Sequence, residues 1–460
     1  MAPARDDRNV AVRLGAAVAL FLLLVGQAQV TVLDGSSMLA VAQSLVHDGT
    51  FAVAPELGVR GHDGRSYSKY GLLLPLLATV PVALAQPVGA VTGRVDLLEA
   101  AAAASLMPLI CGALAAALFA VGRRLGAPRP AAALVAAGTV LGTYVLPYGR
   151  DFFTEPLVAL ALVAAVERAL AGRDLQAGGA LALAVLARPQ SAAFAPLLLA
   201  FVALRSGGMR AVARASAPLA VAAVVTVAYN LLRFADPLEF GYRPPVDPGF
   251  TTPLLEGSAG LLLSPEKSVL LFAPAIVLVP FAAAALWRTR RATVALVLAL
   301  FAVTWVLAAT WHSWQGGWSW GPRLIIPGVV VALALVGPWL GAHRARLRVA
   351  AALFAAGFVL SLPAVLAPVG HQLLERPVGV GPRIDRQYAA VPELARASAR
   401  AARSTAARDD DYRRYLAPWQ AGITRRLGPA GLAPAVLGTL LLAAALALVA
   451  RPLAPRLRAG

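Results

Sequence analysis

Residues 14–33, LGAAVALFLLLVGQAQVTVL, run without a single charge. At about 1.5 Å per residue, a helix of that length crosses a hydrocarbon layer about 30 Å thick. Arg5 and Arg8 precede the run, so it reads either as a signal peptide or as an anchor. Its length favours an uncleaved anchor. Comparable runs recur along the 460 residues, of which 59% are hydrophobic and 14% charged. That much apolar surface does not fit inside one water-soluble globule. The expected fold class is an all-α polytopic membrane protein with about twelve transmembrane helices.

The net charge of +18 does not point to nucleic acid, because the cations fall in small groups between apolar runs. Arg123, Arg124 and Arg129, then Arg288, Arg290 and Arg291, then Arg344, Arg346 and Arg348 occupy alternate loops. By the positive-inside rule these loops, and both termini, are cytoplasmic. The few acids on that side are Asp6, Asp7, Glu167 and Asp174. The assignment requires that residues 71–91 do not cross. Pro75, Pro81 and Pro87 are expected to disrupt that segment, which reads as re-entrant or interfacial. A transmembrane module then spans 1–369, with outer loops at 34–97, 149–152, 234–267 and 311–322. An Arg-rich extracytoplasmic segment follows at 370–428, and a last span with a cytoplasmic tail at 429–460. Cys111 is the only cysteine, so no intrachain disulfide is possible.

The outer loops hold most of the chemistry. The first opens with an amphipathic stripe, Met38, Val41, Ala42, Leu45 and Val46, and continues to a hairpin turn at His62-Asp63-Gly64. Asp34, at the exit of the first span, is either a general base or the cap of the helix that follows. Asp151 and Glu155 enter the fourth span, where an ionised carboxylate is costly and usually functional or paired. Arg188, before Pro189, is either a phosphate ligand or a snorkelling side chain. Arg243 and Lys267, in the loop after Tyr229, offer cations to an anionic group, as does Arg323. Residues 311–323, WHSWQGGWSWGPR, place His312, Trp314 and Trp318 beside a Gly pair. Aromatic faces of this kind stack on sugar rings or form an interfacial belt. A divalent metal held by Asp34, Glu155 and His312 stays open.

The order of these features resembles the GT-C superfamily of polytopic glycosyltransferases, in particular the family 39-like group that includes protein O-mannosyltransferases and the lipid A aminoarabinose transferase. The resemblance rests on the acid after the first span (Asp34), the second acid group at the fourth (Asp151, Glu155) and L-A-R-P at Arg188. It also rests on the segments YNLLRFADPLEFGY, GLLLSPEKS and WQGGWSWGPR. The chain departs from the pattern in two places: Asp34 is followed by Gly35 where many members have a second acid, and a K-P-P-like element is represented by Ser68-Lys69-Tyr70-Gly71. The resemblance implies inverting transfer of a sugar from a polyprenyl-phosphate donor to a lipid, glycan or protein acceptor on the outer face of the cell membrane. Asp34 would be the base, supported by Glu155 and Asp151. Arg188, Arg243, Lys267 and Arg323 would hold the donor phosphate, and His312, Trp314, Trp318 and Tyr70 would shape the sugar and acceptor pocket. The rival readings are a transporter or flippase of lipid-linked sugars and a non-catalytic envelope scaffold.

Overall fold

A computed structural model describes residues 5–317, 319–366, 420 and 432–453, and the chain over these is predominantly helical. The helices in order are α1 (Arg5–Leu24), α2 (Leu33–His47), α3 (Leu73–Thr92), α4 (Val95–Ala104), α5 (Leu106–Arg124), α6 (Arg129–Leu141), α7 (Val145–Tyr148), α8 (Glu155–Leu170) and α9 (Asp174–Ala187). They continue as α10 (Ala195–Ser206), α11 (Met209–Phe234), α12 (Leu254–Leu263), α13 (Val269–Phe272), α14 (Val279–Thr310), α15 (Ile326–Leu333), α16 (Val336–Leu340), α17 (Arg344–Leu366) and α18 (Leu432–Ala450). Among the described residues, six helical stretches are long and apolar enough to cross a membrane: Leu73–Thr92, Val95–Arg124, Met209–Phe234, Pro274–Thr310, Arg344–Val365 and Leu432–Ala450. Other apolar runs form shorter helices, so six of the expected dozen or so spans reach full length among the described residues. The 370–428 segment lies outside the described residues except for Gln420, whose amide donates to the Leu24 carbonyl at 2.8 Å.

Two charged layers cap opposite ends of the bundle. At one end Asp7 accepts from Arg123 at 3.0 Å and Arg129 at 2.7 Å, and Asp6 pairs with Arg129. Glu167 at this end pairs with Arg124, and Asp174 with Arg205. The four acids expected among the basic groups are thus each paired with one of them. At the other end lie the start of α8 and the turns that follow α1 and α9. Between the layers sits an apolar core in which alanine is the most frequent residue, followed by leucine and valine, and small residues let helices approach closely.

The first outer loop folds as a compact unit on that second end. In α2 the stripe Met38, Leu39, Val41 and Ala42 is buried. The hairpin turn at His62-Asp63-Gly64 forms: Asp63 accepts from the Arg65 amide at 3.0 Å and from the Tyr67 hydroxyl at 2.8 Å. Three two-residue strands, β1 (Ala52–Val53), β2 (Val59–Arg60) and β3 (Ser66–Tyr67), pair antiparallel in the order β1-β3-β2. The expected proline disruption of 71–91 does not occur, since α3 is one helix with Pro81 and Pro87 inside it. Leu74, Ala78 and Val82 face the core, and that packing offsets the hydrogen bonds the prolines remove. The return helix α4 has ten residues, a rise of about 15 Å, half of a hydrocarbon layer. It runs on into α5, and the two together make one helical stretch, Val95–Arg124.

Candidate active site

Asp34 lies in the first turn of α2, and the helix has no side-chain cap bond. Its carboxylate points instead across the bundle end, where Arg323 Nη1 donates to Asp34 Oδ2 at 2.8 Å. The Tyr70 hydroxyl is a second donor to the same carboxylate. Arg323 Nε stands 3.9 Å from Glu155 Oε1, and Arg188 Nη1 donates to that oxygen at 2.8 Å. Two carboxylates and two guanidinium groups thus alternate in the order Asp34, Arg323, Glu155, Arg188. Arg323 also stands 5.3 Å from the centre of the Phe153 ring, a cation–π distance.

Burial pushes the Asp34 carboxyl up, but the charge of Arg323, the Tyr70 hydroxyl and the more distant Arg188 outweigh it and hold the group below the usual aspartate value. Asp34 is therefore ionised at neutral pH. Tyr70 is driven well above the usual tyrosine range, first by burial and then by the negative charge of Asp34, so its hydroxyl stays a donor. Burial alone would lower Arg323, yet Asp34 and Glu155 raise it and keep it charged.

The chain geometry behind this cluster is local. Past α1, Ala28 adopts a positive φ of 50° and the chain turns before α2 starts. A Cβ at Gly35 would lie 2.7 Å from the Phe152 carbonyl oxygen, so only glycine lets α2 rest on the segment that carries Glu155. A second acid at that position has no room. Gly71 does the same at the other wall, where a Cβ would sit 2.2 Å from the Ala187 carbonyl oxygen. That approach sets Tyr70 against the end of α9 and Arg188. Arg323 opens a short 3-10 turn, Arg323–Ile325, directly after Gly321-Pro322.

A second polar group adjoins the first. Asp247 accepts from Lys69 Nζ at 2.6 Å and lies 3.2 Å from His312 Nε2. Tyr242, its hydroxyl pushed up to about 12 by burial, is within electrostatic range of Arg188, Asp34, Asp247 and Arg323 and so links the two groups. Lys69 Nζ lies 4.8 Å from the Tyr242 ring centre, and Trp311 meets that ring edge-on at 5.5 Å. Sequence reasoning missed Asp247. Its partners are distant in the chain, and the surrounding residues VDPGF read as an ordinary turn.

The remaining candidates serve elsewhere. Asp151 is occupied by Thr31, which donates to it from both backbone and side chain, and by the Phe152 amide at 2.8 Å. It closes the turn after α1 and does not face Asp34. Lys267 is buried and donates to the Ser319 carbonyl at 2.6 Å and to Gly317 at 3.2 Å, which clamps the tryptophan-rich loop. Arg243 pairs with Glu239 at 2.9 Å and is bonded to the Arg60 carbonyl at the surface. Trp314 is buried against α12, where Gly260 leaves space for its ring. Trp318 lies outside the described residues. Among the described residues, no group of three His, Cys, Asp or Glu side chains converges as metal ligands. Asp34 and Glu155 are each already paired with a guanidinium group.

Compared with solved structures, the chain is similar to ArnT from Cupriavidus metallidurans, in a crystal structure with undecaprenyl phosphate bound. The match covers 95% of this chain and 76% of that one, at 14% identity and a TM-score of 0.54. The chain has the ArnT fold. No protein-family model matches it, and no curated protein matches it by sequence. The fold likeness agrees with the architecture that the sequence motifs resemble. On the ArnT-like scaffold, the alternating acids and arginines occupy the bundle end opposite the basic triplets.

Proposed function

We propose that this protein is an integral-membrane, inverting glycosyltransferase that moves a sugar from a polyprenyl-phosphate donor to an extracytoplasmic acceptor. The observation that carries this reading is the Asp34–Arg323–Glu155–Arg188 cluster at one end of an ArnT-like bundle. The basic end faces the cytoplasm by the positive-inside rule, which sets the cluster on the outer side.

Asp34 takes the proton from the acceptor hydroxyl as its oxygen attacks the anomeric carbon. The bond from that carbon to the phosphate oxygen breaks, and the electron pair leaves on the phosphate. Attack from the side opposite the leaving group inverts the centre. Arg323 and Arg188 stabilise the charge that grows on the departing phosphate, where preorganised cations contribute most. Glu155 orients both guanidinium groups.

The experiment is to incubate the purified chain in nanodiscs with a panel of radiolabelled polyprenyl-phosphate sugars and an envelope-lipid acceptor extract. Asp34-dependent release of polyprenyl phosphate is the expected result and identifies the donor. Release that is equal in wild type and Asp34→Asn would rule out Asp34 as the base.

A further inference from the structure

The charges in the site balance: Asp34 and Glu155 against Arg188 and Arg323, and in the adjoining group Asp247 against Lys69. A phosphate that enters this site adds a negative charge where none is called for, and two carboxylates repel it. Binding is favourable only if a cation is released from its present partner. Arg323 is built for such an exchange. It bonds Asp34 through Nη1, while its buried Nε has no hydrogen-bond partner and stays 3.9 Å from Glu155. A phosphate offers that Nε an acceptor, and guanidinium groups bind phosphate oxygens in pairs.

The two acids are not equally able to give up their cation. The Asp34 side chain is 26% exposed, whereas that of Glu155 is 3% exposed. An ion left without its partner costs far more in the buried position. Asp34 is therefore the acid that yields.

We infer that the donor phosphate and Asp34 compete for the Arg323 guanidinium, so that donor binding itself uncovers the base. This inference rests on the glycosyltransferase reading above and adds an order of events to it. Before the donor arrives, Asp34 is engaged by Arg323 and Tyr70 and is a poor base. Afterwards it keeps the Tyr70 hydroxyl and turns its free oxygen to the acceptor. The donor is a phosphodiester with one negative charge, and the released phosphate is a monoester whose charge near pH 7 is about −1.5 to −2. The product thus holds Arg323 harder than the donor does, and the return of Asp34 to Arg323 helps to expel it.

Equilibrium binding of undecaprenyl phosphate to the full chain in nanodiscs, followed by tryptophan fluorescence, tests the coupling. Asp34→Asn is expected to bind about tenfold tighter than wild type, within the usual range of site-to-site coupling. Arg323→Gln is expected to bind about tenfold weaker, and Asp34→Asn in the Arg323→Gln background to add nothing. Asp34→Ala removes the same carboxylate and serves if the Asn variant does not fold. Equal affinity of wild type and both Asp34 variants, in a protein that prefers undecaprenyl phosphate to undecaprenol, overturns the competition but leaves the glycosyltransferase reading standing. Failure of wild type to prefer undecaprenyl phosphate to undecaprenol overturns the reading itself, and the competition with it.

Discussion

Arg323 and Asp34, 289 positions apart in the chain, meet at 2.8 Å on the bundle end opposite the basic triplets. Their pairing joins the tryptophan-rich loop to the start of the first outer loop, and the chemistry proposed here turns on it. Asp34→Asn keeps the size and the Tyr70 contact but removes the proton acceptor. Transfer should fall by about 10²–10⁴-fold, the usual contribution of a general base, with expression retained and only a small drop in melting temperature. Release of radiolabelled polyprenyl phosphate reads the outcome.

Glu155 is the acid between two arginines, and its side chain is almost fully buried. Glu155→Gln leaves Arg188 without its countercharge, while Arg323 keeps only Asp34. Breaking a buried pair from one side costs about 3–5 kcal/mol. A marked drop in the detergent melting temperature is expected together with loss of transfer, and an unchanged melting temperature would show that the pair is not structural.

Gly35→Ala places a methyl group 2.7 Å from the Phe152 carbonyl oxygen, so α2 has to lift from its seat and Asp34 moves with it. Turnover should drop at least tenfold. Gly179→Ala in α9 meets nothing within 4 Å and serves as the control, since alanine in a helix is neutral or slightly stabilising. Comparable losses in both variants would remove the steric argument.

The pH dependence follows from the depressed Asp34 carboxyl. A carboxyl whose folded value lies below its unfolded one contributes stability above the unfolded value, and that contribution disappears as pH falls through the folded value. The acid limb of kcat/KM, which reports the free enzyme, should therefore fall below the ordinary aspartate value of about 3.9. Once the donor has taken Arg323, Asp34 loses its strongest partner. The limb of kcat should then lie at higher pH than that of kcat/KM, and coincident limbs would argue that the pair stays closed.

Asp247→Asn weakens the hold on both Lys69 and His312, which belong to different outer loops. Faster amide exchange in both loops is expected, with the basic layer around Asp7 unchanged. Exchange confined to residues 244–250 would show that Asp247 does not bridge them.

Much of the site was legible because Asp34, Glu155, Arg188 and Arg323 each stand where an apolar run gives way to polar residues. That signal is local, and the membrane boundary collects such residues at one depth. Which of them touch is a matter of close approach between elements far apart in sequence, as at Gly35 and Gly71, and residue type alone does not report it. Asp151 and Glu155 look alike in the sequence, yet only Glu155 opens α8 toward the arginines, while Asp151 is turned back to Thr31. Trp314 carries the same aromatic signal as a sugar-stacking residue but fills the space over Gly260. The prolines of α3 read as breaks because the packing that offsets them comes from other helices.

One helix, α8, carries both charged layers, with Glu155 at its start and Glu167 in its last turn. Its 16 residues rise about 24 Å, several ångströms less than a hydrocarbon layer. The Asp34–Arg323–Glu155–Arg188 cluster, joined to the basic layer by so short a helix, is therefore expected to lie below the rim of the bilayer. That depth suits the proposed lipid-linked donor, which diffuses in the plane of the membrane, and a water-soluble acceptor has to reach down to it.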